Sequence, residues 1–428
     1  MQRKRLFALI AVTVYGFFGI SMSILAPLFP NKAFAKGLSR LQIGLVSSGM
    51  QISAFFATIL FMMIMRPADT FFMFTAGPIL CFSSCILMGV MGYSPNGEIF
   101  EILCFALTLT SGVGGTMFVS SAYSIISFAN PDLSKSIGSY IEMADGIGVV
   151  IGPTLATVLY SMGGYATPFV CIGVFAIILV VIAVMIAPPL NVNEEKSTLT
   201  VFAFLKLAIK PYILLIMITI VFVISIFGMI DTMVSPHLKD HFKLSQDVLG
   251  YVYLAMGVTY VFASGLSGYL VEKGHGGILF VVSIFCIPFS ILTMYLTTVF
   301  ELLDNLTCFS IALALIGLAA AGAFVPCYLL LEKYAMYYGI KTASEAKVFV
   351  SFMICLVYGA GGALGPIFTG GFVFGEIGFA NTLLVEIGLL CLGVLCTLPL
   401  IFYQNLLGPL ELPQINENKN LVDADVVA

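Results

Sequence analysis

Residues 146–153 read Gly-Ile-Gly-Val-Val-Ile-Gly-Pro, and residues 359–366 read Gly-Ala-Gly-Gly-Ala-Leu-Gly-Pro. Both stretches share the pattern G-x-G-x-x-x-G-P, and about half of the chain separates them. The repeat extends beyond the glycines, because Pro27 in an early apolar run has a counterpart, Pro236, at nearly the same spacing. All of the matching segments run in the same direction along the chain. The sequence therefore predicts two parallel structural repeats.

The composition of the chain places it in a lipid bilayer. Hydrophobic residues make up 60% of the sequence and charged residues only 9%. A soluble domain carries about 25% charged residues, so this chain cannot cover a water-facing surface of its own size. Twelve apolar runs are long enough to cross the roughly 30 Å of hydrocarbon in a bilayer. The predicted spans are 6–30, 43–65, 70–92, 99–128, 135–161, 166–187, 211–236, 248–270, 277–299, 306–331, 346–372 and 379–403.

The spans fall into two groups of six around the longest polar interruption. We therefore predict an all-α membrane protein with twelve transmembrane helices in two parallel six-helix repeats. The predicted parts are an N-terminal bundle over 1–187, a cytoplasmic linker over 188–210, a C-terminal bundle over 211–403 and a disordered cytoplasmic tail over 404–428. Arg3, Lys4 and Arg5 precede the first span, which favours a cytoplasmic N-terminus. With an even number of spans, both termini are then cytoplasmic.

Several function classes have no support in the sequence. The net charge of −4 gives no indication of a nucleic-acid partner. Nearly all of the ten cysteines lie within apolar spans, and no Cys/His spacing suggests a metal site, so we expect neither a metal nor a cofactor. No nucleophile–base pair is apparent, which makes an enzyme the least favoured class. The remaining partners are the bilayer itself and a small solute.

The glycine runs have two physical interpretations. Small residues let helix backbones approach closely in lipid, and a proline after them permits a local bend. Ordinary packing would account for one such run, whereas its duplication favours a functional hinge in a molecule whose halves rock against each other. The predicted hinge residues are Gly146, Gly148, Gly152, Pro153, Gly361, Gly365 and Pro366.

Acidic residues inside the spans are the candidate site residues. A charge in the bilayer centre is costly, so such residues usually face a cavity or a partner. Glu142 and Asp145 lie three residues apart and share a helix face, where like charges favour a proton on one of them. Asp231 lies in the outer half of the seventh span, and Glu332 lies near the end of the tenth. The alternative for Glu142 and Asp145 is anchoring near the interface or a salt bridge to Lys135. For Asp231 it is a helix-end position that faces lumenal water, and for Glu332 it is an interfacial ion pair with Lys333.

Two segments resemble a known family. Tyr140-Ile-Glu-Met-Ala-Asp followed by residues 146–153 is similar to the span-five signature of the drug:proton antiporter branch of the major facilitator superfamily. Leu159-Tyr-Ser-Met-Gly-Gly-Tyr-Ala-Thr-Pro-Phe169 resembles the vesicular amine transporter family, its polyamine members in particular. Asp231 falls where that family carries an acid implicated in amine binding. The string from Tyr328 to Lys333 resembles the segment in which it places an essential aspartate.

The resemblance implies a secondary transporter that works by alternating access. It would exchange a small organic cation, such as a polyamine, for protons across a vesicular or other endomembrane, as a monomer. Asp231, Glu142, Asp145 and Glu332 would then be the sites of substrate and proton binding. Several spaced carboxylates suit a polyamine, which carries several charges, better than a compound with one amine.

The chain also departs from the family pattern. Phe18 stands where the amine transporters have a span-one aspartate, Cys355 stands at their span-eleven aspartate, and Thr108 lies near their span-four base. Loss of the span-one acid argues against a monoamine site, and loss of the base leaves an uncoupled facilitator of another small solute open. The family's loop signature between spans two and three is reduced to Arg66-Pro-Ala-Asp69, which leaves a non-transporting receptor with the same fold open as well. Glu386 in the last span matches no residue of the family.

Overall fold

The computed structural model describes residues 2–64, 70–129, 134–188, 201–300, 302–340, 343–367 and 374–404. Within these ranges the chain is helical apart from short turns. The helices are α1 (Gln2–Ser23), α2 (Leu25–Ala35), α3 (Arg40–Ile64), α4 (Thr70–Val90), α5 (Glu98–Ala129), α6 (Ser134–Gly163), α7 (Ala166–Ile186), α8 (Val201–Ala208), α9 (Pro211–Asp240), α10 (Gln246–Glu272), α11 (Gly276–Val299), α12 (Leu306–Tyr337), α13 (Ala343–Ile367) and α14 (Phe374–Gln404).

The predicted twelve spans are confirmed within the described residues, where twelve helical segments are long and apolar enough to cross a membrane. The first consists of α1 and α2 together, which are separated by a break at Ile24. The other spans are the single helices α3 to α7 and α9 to α14. Helices suit this environment because they satisfy all of their backbone hydrogen bonds within one segment, where no water is available.

Several buried hydroxyls inside the bundle are satisfied by their own helices. The buried hydroxyls of Ser84, Thr116 and Ser121 donate to backbone carbonyls one turn earlier, at distances of 2.6 to 3.0 Å. This bonding removes the cost of placing an unpaired hydroxyl in an apolar interior. The spans can therefore contain many Ser and Thr residues without requiring partners on other helices.

The start of α3 shows how the sequence sets a helix end. Ser39 and Gln42 form a reciprocal capping pair: the Gln42 amide donates to Ser39 Oγ at 3.3 Å, and the Ser39 amide donates to Gln42 Oε1 at 2.7 Å. Two backbone donors that have no partner inside the helix are satisfied in this way. The repeat-related helix α10 likewise begins directly after a serine, Ser245.

The two halves contain the same set of helix contacts. In the first half, α1 packs against α6 and α7, α4 against α5 and α7, and α3 against α5. In the second half, α9 packs against α13 and α14, α11 against α12 and α14, and α10 against α12. Because α9 is the counterpart of α1 and α13 that of α6, the sets correspond pair by pair. The predicted architecture of two parallel six-helix repeats is confirmed.

The halves meet along counterpart helices and approach each other closely at one end. α3 packs on α13, α6 packs on α10, and α2 packs on α9. At the end where α2 lies, the Asn31 amide donates to Ser235 Oγ of α9 at 3.0 Å, and Ser235 Oγ lies 3.4 Å from the carbonyl oxygen of Pro27. A hydrogen bond between α2 and α9 therefore joins the halves at the end of the molecule where α2 lies.

The predicted linker and tail are described only in part. Within 188–210 the structure contains α8, whose Phe204 packs into the core of the second half with its ring 5.6 Å from that of Phe349. Residues 189–200 and 405–428 lie outside the described residues. The boundaries of the two bundles, the linker and the tail remain predictions.

Candidate functional site

The first glycine run packs in two directions. A Cβ at Gly148 would meet the carbonyl oxygen of Gly16 on α1, and a Cβ at Gly152 would meet Ser23 Oγ on the same helix. Gly146 instead faces the other half, where a Cβ would lie 3.3 Å from the ring of Tyr260 on α10. Gly148 and Gly152 thus allow α6 to pack closely on α1 within its own half. Gly146 faces the other half across the interface.

The second run repeats this division. A Cβ at Gly361 would lie 2.5 Å from the carbonyl oxygen of Val221 on α9, and one at Gly365 would meet the carbonyl oxygen of Ser225. Gly359 faces the other half, where a Cβ would lie 2.8 Å from Phe55 of α3. The duplicated pattern therefore encodes the same contacts twice: two glycines for the crossing within a half and one for the interface between halves.

The prolines of the two runs also lie at helix contacts. Pro153 contacts α10 through its carbonyl oxygen, against which a Cβ at Gly250 would collide. Pro366 contacts α9 through Cδ, 2.5 Å from a Cβ position at Gly228. A role of these residues as a hinge remains a prediction, because one conformation shows close packing and no movement.

The side chain of Asp231 is accessible although it lies within a buried stretch. Its neighbours Ile230 and Thr232 are buried, and Asp231 lies about 13 Å before the end of α9 at 1.5 Å per residue. Phe227 precedes it by one turn and shares its helix face. The Phe227 ring lies 6.2 Å from that of Tyr260 in an edge-to-face arrangement. The side of α9 that carries Asp231 therefore faces α10 and the interface between the halves.

Asp145 lies on the other side of the same interface. It precedes Gly146, which contacts Tyr260, and its carboxyl lies beside α1, where a Cβ at Gly19 would be 2.8 Å from Asp145 Oδ1. Asp145 is half-buried. The structure thus places Asp145 next to the residue that meets Tyr260 across the interface, while the Asp145 carboxyl lies beside α1 of its own half.

The other two predicted acids are not joined to this group. Glu142 lies on α6, but its side chain is outside the described residues, so its pairing with Asp145 stays a prediction. Glu332 is half-buried near the end of α12, beside the half-buried Lys333. A role of Glu332 in substrate binding stays a prediction, with an interfacial ion pair to Lys333 as its alternative.

Two residues beyond the predicted acids contribute to the site. Tyr253 is 3% exposed and donates to the carbonyl oxygen of Ile230 at 3.5 Å, so it packs on the backbone beside Asp231. Tyr260 lies seven residues later on the same face of α10 and separates Phe227 from Gly146. The abundance of aromatic residues in the chain hides these two positions, because sequence spacing alone does not tell a cavity ring from a packing ring.

The positions that depart from the amine-transporter pattern are filled by packing. The Phe18 ring lies 5.8 Å from that of Phe118 and 5.9 Å from that of Tyr15. Thr108 is 4% exposed and donates to the carbonyl oxygen of Phe105 at 2.9 Å. Cys355 is 7% exposed. An aromatic cluster and two small buried residues therefore occupy the places of two acids and one base.

Glu386 is the buried acid that the sequence left without a role. It is 3% exposed within α14, and Ser225 Oγ of α9 lies 2.6 Å from its Oε1 atom. The two residues are far apart in sequence, so no local motif could have paired them. In the described part of the chain, no group of three or more His, Cys, Asp or Glu side chains could hold a metal ion.

Comparisons with known proteins agree with this architecture. The sequence model of the Major Facilitator Superfamily matches residues 11–340. The rat (Rattus norvegicus) protein named "MFS-type transporter SLC18B1" is 27% identical over 368 residues, which cover 84% of this chain and 78% of the relative. The human (Homo sapiens) protein of the same name is 26% identical over 382 residues, which cover 89% and 82%.

Solved structures share the fold at low sequence identity. A bacterial homologue of the human lysosomal transporter Spinster, in an inward-facing and occupied conformation, has a TM-score of 0.72 at 14% identity over 92% of this chain and 96% of its own. A D-xylose–proton symporter has a TM-score of 0.65 at 12% identity over the same shares of the two chains. These likenesses show the fold alone.

Proposed function

The chain belongs to the Major Facilitator Superfamily and is a multi-pass membrane transporter rather than an enzyme; on that premise we propose that it exchanges organic cations, polyamines in the first place, for protons. The observation that carries the proposal is Asp231 of α9 on the same helix face as Phe227, whose ring lies 6.2 Å from that of Tyr260, with Asp145 next to Gly146 on the other half. Carboxylates attract an ammonium group, and aromatic faces bind it by cation–π contact. Such a group between the halves would be reached alternately from the two sides as the halves rock.

The relatives support a polyamine as the first substrate to test. The sequence resembles the vesicular amine transporters in the segments around Asp145 and Asp231, and the SLC18B1 proteins are its relatives over most of the chain. Phe18 closes the place at which a monoamine transporter would carry its span-one acid. Vesicular loading and cytoplasmic termini complete the proposal, and both follow from the family resemblance and the charge of the N-terminus.

The test is uptake of labelled spermine into proteoliposomes that contain the purified chain. We expect accumulation when the lumen is acidic, and loss of accumulation when a protonophore removes the pH gradient. Empty liposomes under the same gradient are the matched control, because amines also partition into acidic vesicles without a carrier. Equilibration without a gradient would instead favour an uncoupled facilitator, and binding without flux would favour a receptor.

Tyr260→Leu should weaken substrate binding without unfolding the protein. A cation–π contact contributes about 1 kcal/mol, so its loss should raise the half-saturating spermine concentration about fivefold. Tyr260→Phe keeps the ring and should remain close to wild type. Tyr269→Leu is the control on the same helix, since Tyr269 is 55% exposed. An unchanged concentration dependence in Tyr260→Leu would remove this ring from the binding site.

A further inference from the structure

Glu386 and Ser225 form an isolated polar pair inside the second half. Glu386 is 3% exposed and Ser225 is 2% exposed. Within the described parts of the chain, Ser225 is the one hydrogen-bonding partner of the Glu386 carboxyl, with 2.6 Å between Ser225 Oγ and Glu386 Oε1. The pair joins α9 to α14, away from the acids that we assign to the substrate.

The hydrogens available to this pair determine its protonation state. Ser225 Oγ also lies 2.7 Å from the carbonyl oxygen of Phe222, which can only accept. The serine hydroxyl has one hydrogen, so it cannot donate to both Phe222 and an ionised Glu386. If Glu386 carries a proton, its O–H donates to Ser225 Oγ, and Ser225 donates to Phe222. Both contacts are then complete hydrogen bonds.

In the described part of the chain, no helix that packs along α14 brings a positive charge close to Glu386. The helices α9, α11 and α3 pack along α14. The titratable and charged residues of these four helices are Tyr212, Asp231, His237, Lys239 and Asp240 on α9, Cys286 and Tyr295 on α11, Arg40 on α3, and Glu376, Cys391, Cys396 and Tyr403 on α14 itself.

The basic residues among them lie in the end turns of their helices. His237, the nearest to Ser225 along α9, is about 18 Å further along the axis at 1.5 Å per residue. Asp231 is closer, and its negative charge opposes ionisation of Glu386. A buried carboxylate without a cation is costly. Hydrogen count and surroundings therefore agree on a neutral side chain.

We propose that Glu386 is a proton-binding site, occupied in this conformation, whose proton is exchanged during transport. Ser225 links Glu386 to α9 and α13, the helices that we expect to move relative to each other. Ser225 Oγ lies 2.6 Å from Glu386 Oε1 and accepts from it in the protonated state that we propose, while the backbone carbonyl of Ser225 lies against Gly365 of the second glycine run. When α13 moves relative to α9, Ser225 must shift, and the acceptor that holds the proton on Glu386 shifts with it. The exchange of this proton during transport rests on the proposed function. The presence of the proton on Glu386 does not depend on that function.

Infrared difference spectroscopy on the purified full-length protein in lipid tests the site without transport. A protonated carboxyl has a C=O stretch that a carboxylate and an amide lack, so the neutral-pH spectrum of wild type should contain a band that Glu386→Gln loses. Glu98→Gln, which changes an exposed acid, should leave that region unchanged. Absence of any difference at Glu386 would show an ionised side chain and overturn the proposal.

Ser225→Ala is a second variant that tests the same site if the Glu386 variant misfolds. It keeps the carboxyl but removes its acceptor, so the same band should persist and shift in frequency. A band at an unchanged frequency would mean that Glu386 does not bond to Ser225, which contradicts the geometry on which the proposal depends.

The transport arm uses labelled spermine. We expect Glu386→Gln to lose gradient-driven accumulation while retaining exchange of labelled for unlabelled spermine without a gradient. Accumulation equal to wild type would overturn the exchange of this proton and make it a fixed structural one. If wild type itself does not accumulate spermine, the proposed substrate fails, and the infrared difference alone decides whether Glu386 binds a proton.

Discussion

We expect Asp231→Asn to abolish gradient-driven uptake of spermine. The substitution keeps the shape of the side chain and removes its charge. A hydrogen bond to a charged group contributes about 1.5–3 kcal/mol, so the affinity for an organic cation should fall by roughly 10- to 100-fold. The measurement is the initial rate of labelled spermine uptake into proteoliposomes over a range of concentrations.

Asp240→Asn is the matched control for this change. Asp240 is an exposed acid at the end of the same helix, and the chemical substitution is identical. We expect wild-type uptake from it, and equal folding of both variants by size-exclusion chromatography. Wild-type uptake from Asp231→Asn would remove this carboxylate from the substrate site and leave Asp145 and Glu332 as the remaining described candidates.

Valine at Gly148 or Gly365 should destabilise the fold more than any other single change discussed here. At both positions the added atoms meet backbone oxygens of a facing helix, Gly16 on α1 or Ser225 on α9, which cannot rotate away. Overpacking a tight contact costs about 1–3 kcal/mol, and the backbone contact places these variants at the upper end. We expect reduced expression and a lower unfolding temperature in detergent for each variant.

Gly388→Val provides the comparison within the membrane. A Cβ at Gly388 of α14 would have no neighbour within 4 Å, so the same substitution should leave the unfolding temperature unchanged. Gly146→Ala is a further comparison, because its neighbour is the ring of Tyr260, which can move by a few tenths of an ångström. Equal loss of stability from Gly388→Val and Gly365→Val would show that the glycine runs are not the special contacts of the bundle.

Much of the architecture follows from physical regularities that are visible in the sequence. Apolar length predicts the twelve spans because a bilayer has a fixed thickness. The glycine runs predict close helix crossings because only small residues permit them in lipid. Asp231 could be singled out because an acid in an apolar span is costly, and its exposure within a buried stretch fits a cavity.

The rest of the candidate site depends on contacts between distant segments. Tyr260 lies between Phe227 and Gly146 only because three helices from two halves converge there. Glu386 finds Ser225 across two spans that are separated by four others. Neither relation leaves a periodic signal, since each involves one residue per helix. Glu142 had a clear signal from its spacing to Asp145, but its side chain lies outside the described residues.

The contact between Asn31 and Ser235 makes the two ends of the molecule different, and an inhibitor added on one side of the membrane can detect this difference. With the halves joined at that end, we expect a bulky ammonium compound that does not cross lipid to reach Asp231 from the opposite face of the membrane. When the compound is added outside reconstituted vesicles, it would inhibit the molecules whose open end faces outward and leave those in the opposite orientation active. The remaining flux would then measure the fraction of molecules inserted in the second orientation. A mutation that breaks the contact at Asn31 would allow the same compound to inhibit both orientations.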